Sequence, residues 1–409
     1  MSQHTMILSR IKETIQVLVE EIGPRASTST AEQRASSYVA EQLRALGYDV
    51  FVERFRSVTS FSWTFGCFFL SFLVAAGLFR IMPFVSAMLC VLALIAFSLE
   101  SNAIETLSRL MPQRLSQNVI GRLTVPAPAL PAAGQGHARQ TIVLSAHVDS
   151  ARSALLWHPR IVGAFRALLL LSIAAMVAVT MLYILGLLVS ARARETLWLV
   201  SLLPAAYLAA IVLILVHREL FGQVTPGAND NASGVAALLA VAEALVRDPL
   251  TRTDVWVVAT GCEEAGTVGM LRFLNRHHFD RQSTWFLNFD NVGAGHITYI
   301  VAEGILLDLP ADLLLRSLAA RFAREHAELA IGMRRYKALT TDAIIPLVRR
   351  YRAMSIMAFD DRGRLPNWHW PGDTVAHLDF TTIATAAQMG AYLARELDCL
   401  GGSAGVQSG

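Results

Sequence analysis

The sequence predicts an α/β protein, a mostly parallel sheet with helices on both faces, together with four transmembrane helices inserted as two hairpins. Three observations carry this. Apolar strand-like runs alternate with helix-period segments along much of the chain. Four further runs stay apolar for the ~20 residues that a helix needs to cross a bilayer. Only 16% of the 409 residues are charged and 54% are apolar, where a soluble domain carries roughly 25% charged residues.

The elements follow in order. The N-terminal stretch is charged and helix-periodic with no long apolar core, so it does not read as a secretory signal peptide. Residues 30–46 have helical periodicity, end at Gly47 and lead into an alternating strand at 49–54. Residues 57–79 are uncharged and stop at Arg80; residues 81–99 are uncharged and stop at Glu100. Short strands are expected at 118–123 and 142–144. A second apolar pair, 167–191 and 196–216, is bounded by Arg166, Arg192 and His217-Arg218. An Ala/Leu-rich helix at 234–246 and apolar strands at 255–260 and 285–289 complete the pattern. Soluble helices rarely run this long without a polar face. Arg80 alone parts the first pair and residues 192–195 the second, which makes two helical hairpins with all remaining sequence on one side. The expected division is therefore 1–56, 100–160 and 217–400 as one α/β domain, 57–99 and 161–216 as hairpins, and 401–409 as a disordered tail.

Composition excludes some functions. The net charge of +3 gives no case for nucleic-acid binding. Cys67, Cys90, Cys262 and Cys399 form no CxxC pair, so neither a thiolate metal site nor a disulfide framework is expected. Arg54, Arg56, Arg109, Arg114, Arg152, Arg160, Arg166 and Arg218 flank the domain-side ends of the apolar runs, against Arg80, Arg192 and Arg194 in the far links. The positive-inside rule then puts the domain in the cytoplasm, on a multi-pass bacterial inner-membrane protein.

Ligands of open α/β sheets bind beyond the carboxyl ends of the strands. Three apolar strands here end in metal-binding side chains: His147 with Asp149, Glu263 with Glu264, and Asp290. Asp230 lies in the turn 227–234 and His369 in the segment 368–374. Neutral imidazole and carboxylate suit zinc. Two metals held ~3.5–4 Å apart need a carboxylate to bridge them and another to deprotonate water. Singly, each residue has an ordinary reading: His147 a core histidine, Asp230 a turn or helix cap, Asp290 a cap for the turn at Gly293, His369 a surface residue. Adjacent carboxylates after a buried strand are costly without cations, which favours a metal for Glu263-Glu264. Cys262 is read as a packing residue, since no histidine stands in a motif to activate it. His277 and His278 are read as surface residues, His377 as non-ligating, and Asp373 as support for the His369 loop.

These motifs, in this order, resemble metallopeptidase family 28, the dinuclear zinc aminopeptidases, with glutamate carboxypeptidases and glutaminyl cyclases as relatives. The resemblance starts at Gly23-Pro24-Arg25, passes through the GYDVFVERF and NVIGRL stretches and ends at HWPGDT. It implies the zinc aminopeptidase fold and two Zn2+, with Mn2+ or Co2+ left open by sequence. It also implies His147 and Asp290 on one metal, Glu264 and His369 on the other, Asp230 bridging, Glu263 as general base and Asp149 orienting a ligand. A peptide or related amide substrate is implied. Some relatives place a tyrosine before the last histidine; here it is Trp368, which offers only an indole N–H. A glutaminyl cyclase-like transferase or an inactive membrane scaffold are the alternatives. The second hairpin is inserted between His147 and Asp230, so the cleft is expected close to the bilayer and the substrate membrane-delivered. Residues 333–345 and 368–370 are the candidate specificity walls.

Overall fold

A computed structural model of the chain describes residues 3–125 and 140–400; the expected tail 401–409 lies outside the described residues. In chain order, α1 (Gln3–Gln16) continues through a wide turn to Gly23. Helix α2 (Thr30–Ala45) starts where the Ser29 side chain accepts from Glu32 N, a standard N-cap. Then come β1 (Asp49–Val58), α3 (Phe61–Leu78), α4 (Pro83–Ser101), β2 (Gln113–Leu123), β3 (Gln140–His147), α5 (Phe165–Leu188) and α6 (Ala191–Phe221). Beyond a tight turn at 228–233 follow α7 (Gly234–Arg247), β4 (Thr253–Thr260), α8 (Val268–Arg276), β5 (Thr284–Phe289) and β6 (His296–Glu303). The chain ends with β7 (Leu309–Pro310), α9 (Leu313–Glu325), β8 (Gly332–Tyr336), α10 (Ile344–Val348), β9 (Arg352–Phe359) and α11 (Phe380–Leu400).

The nine strands of the described residues join one sheet in the order β1-β2-β4-β3-β5-β9-β6-β7, with β8 on β6. The four central strands, β4-β3-β5-β9, are parallel. Around them β2 is antiparallel to β4, and β6 is antiparallel to both β9 and β7. The sheet is thus mixed, where the sequence suggested a mostly parallel one. The link from β5 to β6 is too short for the crossover that a parallel return requires, so β6 runs back. The parallel centre matters for function, because it ends β3, β4 and β5 at the same edge.

Strand alternation separates two faces. Ile142, Leu144, Ala146, Val255, Val257, Leu287, Phe289, Met354 and Ile356 join Ile11, Ile15, Val235, Leu239 and Leu393 in one core, so α1, α7 and α11 cover that face. On the other face Trp256 meets Phe273 of α8 edge-on at 6.0 Å. Helices cover both faces, as the pattern implied.

The chain divides into two compact units, one of residues 1–57, 114–151 and 224–409 and one of 58–113 and 152–223. Compared with the expected borders, 100–113, 152–160 and 217–223 belong to the helical unit. Helix α6 does not stop at His217 but runs to Phe221, and Arg218 is only 3% exposed. Its guanidinium donates to Ser60 Oγ (2.8 Å), Ser62 Oγ (2.9 Å) and Glu219 (2.6 Å) and lies 4.5 Å over the Phe61 ring.

Within that unit, α3–α6 form a bundle around Phe68, Phe72, Cys90, Met176 and Leu208. Phe79 stacks on Tyr183 at 4.0 Å, in space that Gly186 leaves open. Trp198 donates to the Ala76 carbonyl at 2.9 Å, and Arg80 pairs with Glu195 at 3.2 Å. The expected link 192–195 is itself helical: Ser190 caps α6 by accepting from Ala193 N, so the turn falls just before. All four helices are long and apolar enough to cross a membrane.

Candidate active site

The sequence-predicted residues converge. His147 closes β3, Glu263 and Glu264 follow β4, Asp290 follows β5, and the parallel register sets His147 beside Thr260. Asp230 reaches the same place from the 228–233 turn, and His369 from the loop after β9. The two Asp230 oxygens serve different partners. Oδ1 lies 3.2 Å from His147 Nε2, which is itself 3.9 Å from Asp290 Oδ1. Oδ2 lies 3.2 Å from His369 Nε2, which is 3.4 Å from Glu264 Oε2. Zinc ligands at ~2.0–2.2 Å in a tetrahedron stand about 3.3–3.6 Å apart; the two imidazoles are close to that spacing from Asp230, as His369 is from Glu264, while Asp290 stands farther off at 3.9 Å. Ligand atoms of His147, Asp230 and Glu264, one from each side and the shared carboxylate, lie within 4.8 Å of one another.

The chemistry of the set agrees. All five donors are at most 7% exposed, and Glu264 Oε1 is buried with no hydrogen-bond partner. Burial, and then the neighbouring charge of Asp230 and Asp342, raises Asp290 to about 7 against the pull of His147. Burial also lifts Glu264, despite His369 beside it. Burial opposes a charged His369, yet Glu264 and Asp230 raise it to about 9. Excess negative charge in a closed space thus draws in protons wherever cations are lacking.

A layer of polar groups fixes these side chains. Asp149 is fully buried. Its Oδ1 accepts from Glu263 N (3.1 Å), and its Oδ2 from Glu264 N (3.1 Å) and Ser27 Oγ (2.7 Å). His147 Nδ1 is 3.1 Å from the Asp149 carbonyl, a bond that puts the proton on Nδ1 and leaves the Nε2 lone pair facing Asp230 and Asp290. Glu263 is part-exposed. Burial pushes its carboxyl well above the usual range against the pull of His147, and Glu264, Asp342 and Asp290 push it further.

Asp373 does more than the expected support of the His369 loop: it accepts from the backbone of Asn229 (2.6 Å) and Asp230 (3.0 Å). Asn231 ties the same turn to β5 by donating to the Phe289 carbonyl (2.9 Å) and accepting from Asn291 N (3.1 Å). Gly227 stands at φ +64, where an added Cβ would lie 2.5 Å from Ser150 Cβ and 2.7 Å from the Asp230 carbonyl. Cys262 is buried beside Glu32, as a packing residue would be. His277 is half-buried rather than exposed, bonded to Glu53 at 2.8 Å, and takes no part in the site.

Several residues around the site had no individual role in the sequence reading, although Arg25 stands at the start of the resembling segment and Tyr336 and Asp342 fall in the expected wall 333–345. Arg25 is fully buried and donates to the carbonyls of Leu18, Gly23, Val148, Pro226 and Gly227, pinning the segments on either side of the site. Glu32 accepts from Cys262 N at 2.8 Å and so fixes the turn before Glu263. Tyr336 is buried; burial and then the charges of Asp290, Asp230, Glu263 and Glu303 push its phenol well above its ordinary value. Asp342 accepts from Thr260 and keeps Oδ1 unpaired. No local spacing marks these residues; only the fold brings them together.

An α/β sheet carrying such a donor set has the make-up of a zinc-dependent enzyme. The model of peptidase family M28 matches residues 201–394, which hold Asp230, Glu263, Glu264, Asp290 and His369. Over those residues the chain is similar to peptidase family M28. No curated protein matches it significantly. Among solved structures it is similar to a zinc aminopeptidase from Bacillus subtilis (TM-score 0.55, 15% identity, 95% of each chain covered). It is also similar to an aminopeptidase from Aneurinibacillus (TM-score 0.55, 14% identity, 95% of this chain and 93% of that one). A glutaminyl cyclase from Tannerella forsythia shares the fold too (TM-score 0.52, 16% identity, 94% and 97% covered).

Proposed function

We propose that the protein is a membrane-embedded dinuclear zinc aminopeptidase. The observation that carries this is the position of Asp230, with each oxygen 3.2 Å from a different imidazole. His147 and Asp290 would hold one ion, His369 and Glu264 the other, and Asp230 both; Asp149 would keep His147 and the Glu263-Glu264 backbone in place. When bound, zinc supplies Lewis acidity that polarises a carbonyl and makes water more acidic. Glu263 is the general base: it accepts a proton from the attacking water at its carboxylate and returns it to the leaving amine. Tyr336 offers a phenolic O–H to the developing oxyanion, the donor that Trp368 at the position before His369 lacks. The remaining carboxylates of the site would receive a substrate α-amine, which favours aminopeptidase action.

The four apolar helices support a multi-pass membrane protein, and the arginine asymmetry supports a cytoplasmic active unit. The substrate is then a peptide or amide-linked amphiphile delivered from the bilayer. The test is turnover by purified protein of aminoacyl, acyl-amino-acid and lipopeptide amides. Aminoacyl substrates should be cleaved, lipid-attached ones best, and Glu263→Gln should abolish turnover while leaving metal bound. Cyclisation of N-terminal glutamine without peptide cleavage would overturn the peptidase reading in favour of a cyclase.

A further inference from the structure

We propose that Glu303 is a positioning residue of the active site, the node that holds the Tyr336 strand and the Asp342 turn against the sheet beneath the metal-binding side chains. The inference rests on the role given to Tyr336 above.

Strand β6 begins with ordinary alternation. Ile297 and Tyr299 are buried in the apolar core, and Val301 packs against it. By that period Glu303 would enter the same core. Instead the register on β8 shifts between Ile300 and Ala302, and Glu303 pairs with Tyr336. A bulge of this kind re-aims the side chains beyond it. Glu303 thereby reaches the opposite face, where its Oε2 accepts from Thr341 Oγ1 at 3.0 Å and weakly from Ser355 Oγ at 3.5 Å. Ser355 stands between the core residues Met354 and Ile356, so it too points to that face.

The row around Glu303 lies one level below the ligands. Ser355 is in register with Asn288, and Asn288 with Ser145. Ser145 Oγ donates to Asn288 Oδ1 at 2.9 Å. Ser145 is two residues before His147 and Asn288 two before Asp290, so alternation keeps each on the same face as its ligand. At the far end Gly304 N donates to the Tyr336 carbonyl at 3.2 Å. Thr341 Oγ1 lies 2.8 Å from Ser355 Oγ and accepts from Ala343 N at 3.1 Å, which fixes the turn holding Asp342. Glu303 thus stands opposite Tyr336 in the β6–β8 register, while its side chain accepts from Thr341 beside Asp342.

Its chemical state fits a structural hydrogen-bonding role. Glu303 is 1% exposed, and its Oε1 has no partner. Burial, then the charge of Asp290, lifts the carboxyl to about 8. The groups facing it are Asp290 from the end of β5, Tyr336 from β8, and the hydroxyls of Thr341 and Ser355.

The test compares Glu303→Gln, Glu303→Ala and Tyr336→Phe in the full-length, zinc-loaded protein. Misplacing a reacting group by about 1 Å costs up to ~100-fold in rate, so Glu303→Ala should lower kcat at least ~10-fold with KM and zinc content nearly unchanged. Glu303→Gln keeps an acceptor oxygen for Thr341 and should restore most of the kcat that Glu303→Ala loses. Unchanged kcat in Glu303→Ala overturns the inference. If that variant does not fold, Thr341→Val, which removes the hydrogen bond to Glu303, is measured instead, and unchanged kcat there overturns it. Unchanged kcat in Tyr336→Phe defeats the underlying reading of Tyr336 instead, so the two failures are distinguishable.

Discussion

Asp149 offers a sharp test of how the site is held. One carboxylate accepts from the backbone of Glu263 and Glu264 at 3.1 Å each and from Ser27 at 2.7 Å. Asp149→Asn keeps the shape but turns one acceptor oxygen into an N–H donor, aimed at a backbone N–H that it cannot satisfy. A hydrogen bond to a charged group is worth about 1.5–3 kcal/mol, and a buried N–H left unpaired costs a similar amount. At 1.4 kcal/mol per factor of ten, one such loss weakens the site about 10–150-fold. That matches the ~10–100-fold losses seen when groups supporting a metal ligand are changed. The assay is zinc affinity by competition with a chelator, beside circular dichroism to verify the fold and kcat/KM on an aminoacyl amide. Zinc affinity and turnover both within about twofold of the parent would refute the reasoning.

Two further outcomes are expected. Arg218→Ala removes one partner of Glu219, which keeps Ser60 at 2.6 Å and Arg152 at 4.0 Å, and should cost about 1.5–3 kcal/mol, read as a fall in thermal unfolding temperature in detergent; Arg218→Lys should rescue part of it, because the contacts to Ser60, Ser62 and Glu219 all come from the single nitrogen Nη1, while the Nε bond to the Arg152 carbonyl is lost. The metal-free protein should lose stability as pH rises. Glu32 and Glu303 are raised to about 8 and Asp373 to about 7, all by burial first. Between the ordinary carboxylate range and those values the folded chain holds protons that the unfolded chain releases, so unfolding becomes easier as pH climbs through the window. Melting temperatures that are flat or rising from about pH 5 to pH 8 would contradict this.

The side chains that cluster at the site were legible because they interrupt a strong pattern. A charged residue directly after a buried strand is rare, and His147, Glu263-Glu264 and Asp290 each stand there. The helical hairpins were legible for the opposite reason, an absence of polar residues over long runs. Their ends were not: Arg218 reads as a stop signal, yet hydrogen bonds to Ser60 and Ser62 let α6 carry it into a buried position. Strand direction was half visible. Apolar runs imply the parallel centre, but β6 reverses because of a short link, and β9 enters between β5 and β6 only in the fold. Arg25, Glu32, Tyr336 and Glu303 were hidden because their meaning depends on distant partners. For Glu303 even the face it takes is set by a bulge, which simple alternation places wrongly.

The central claim is that the protein holds a pair of zinc ions on five side chains, with Asp230 shared between them. Elemental analysis of the purified full-length protein after zinc loading and removal of excess metal tests it most directly. The account predicts about two zinc ions per chain, falling to one or none in Asp230→Ala. One ion in the parent would contradict the paired site, and none would contradict the metal site altogether.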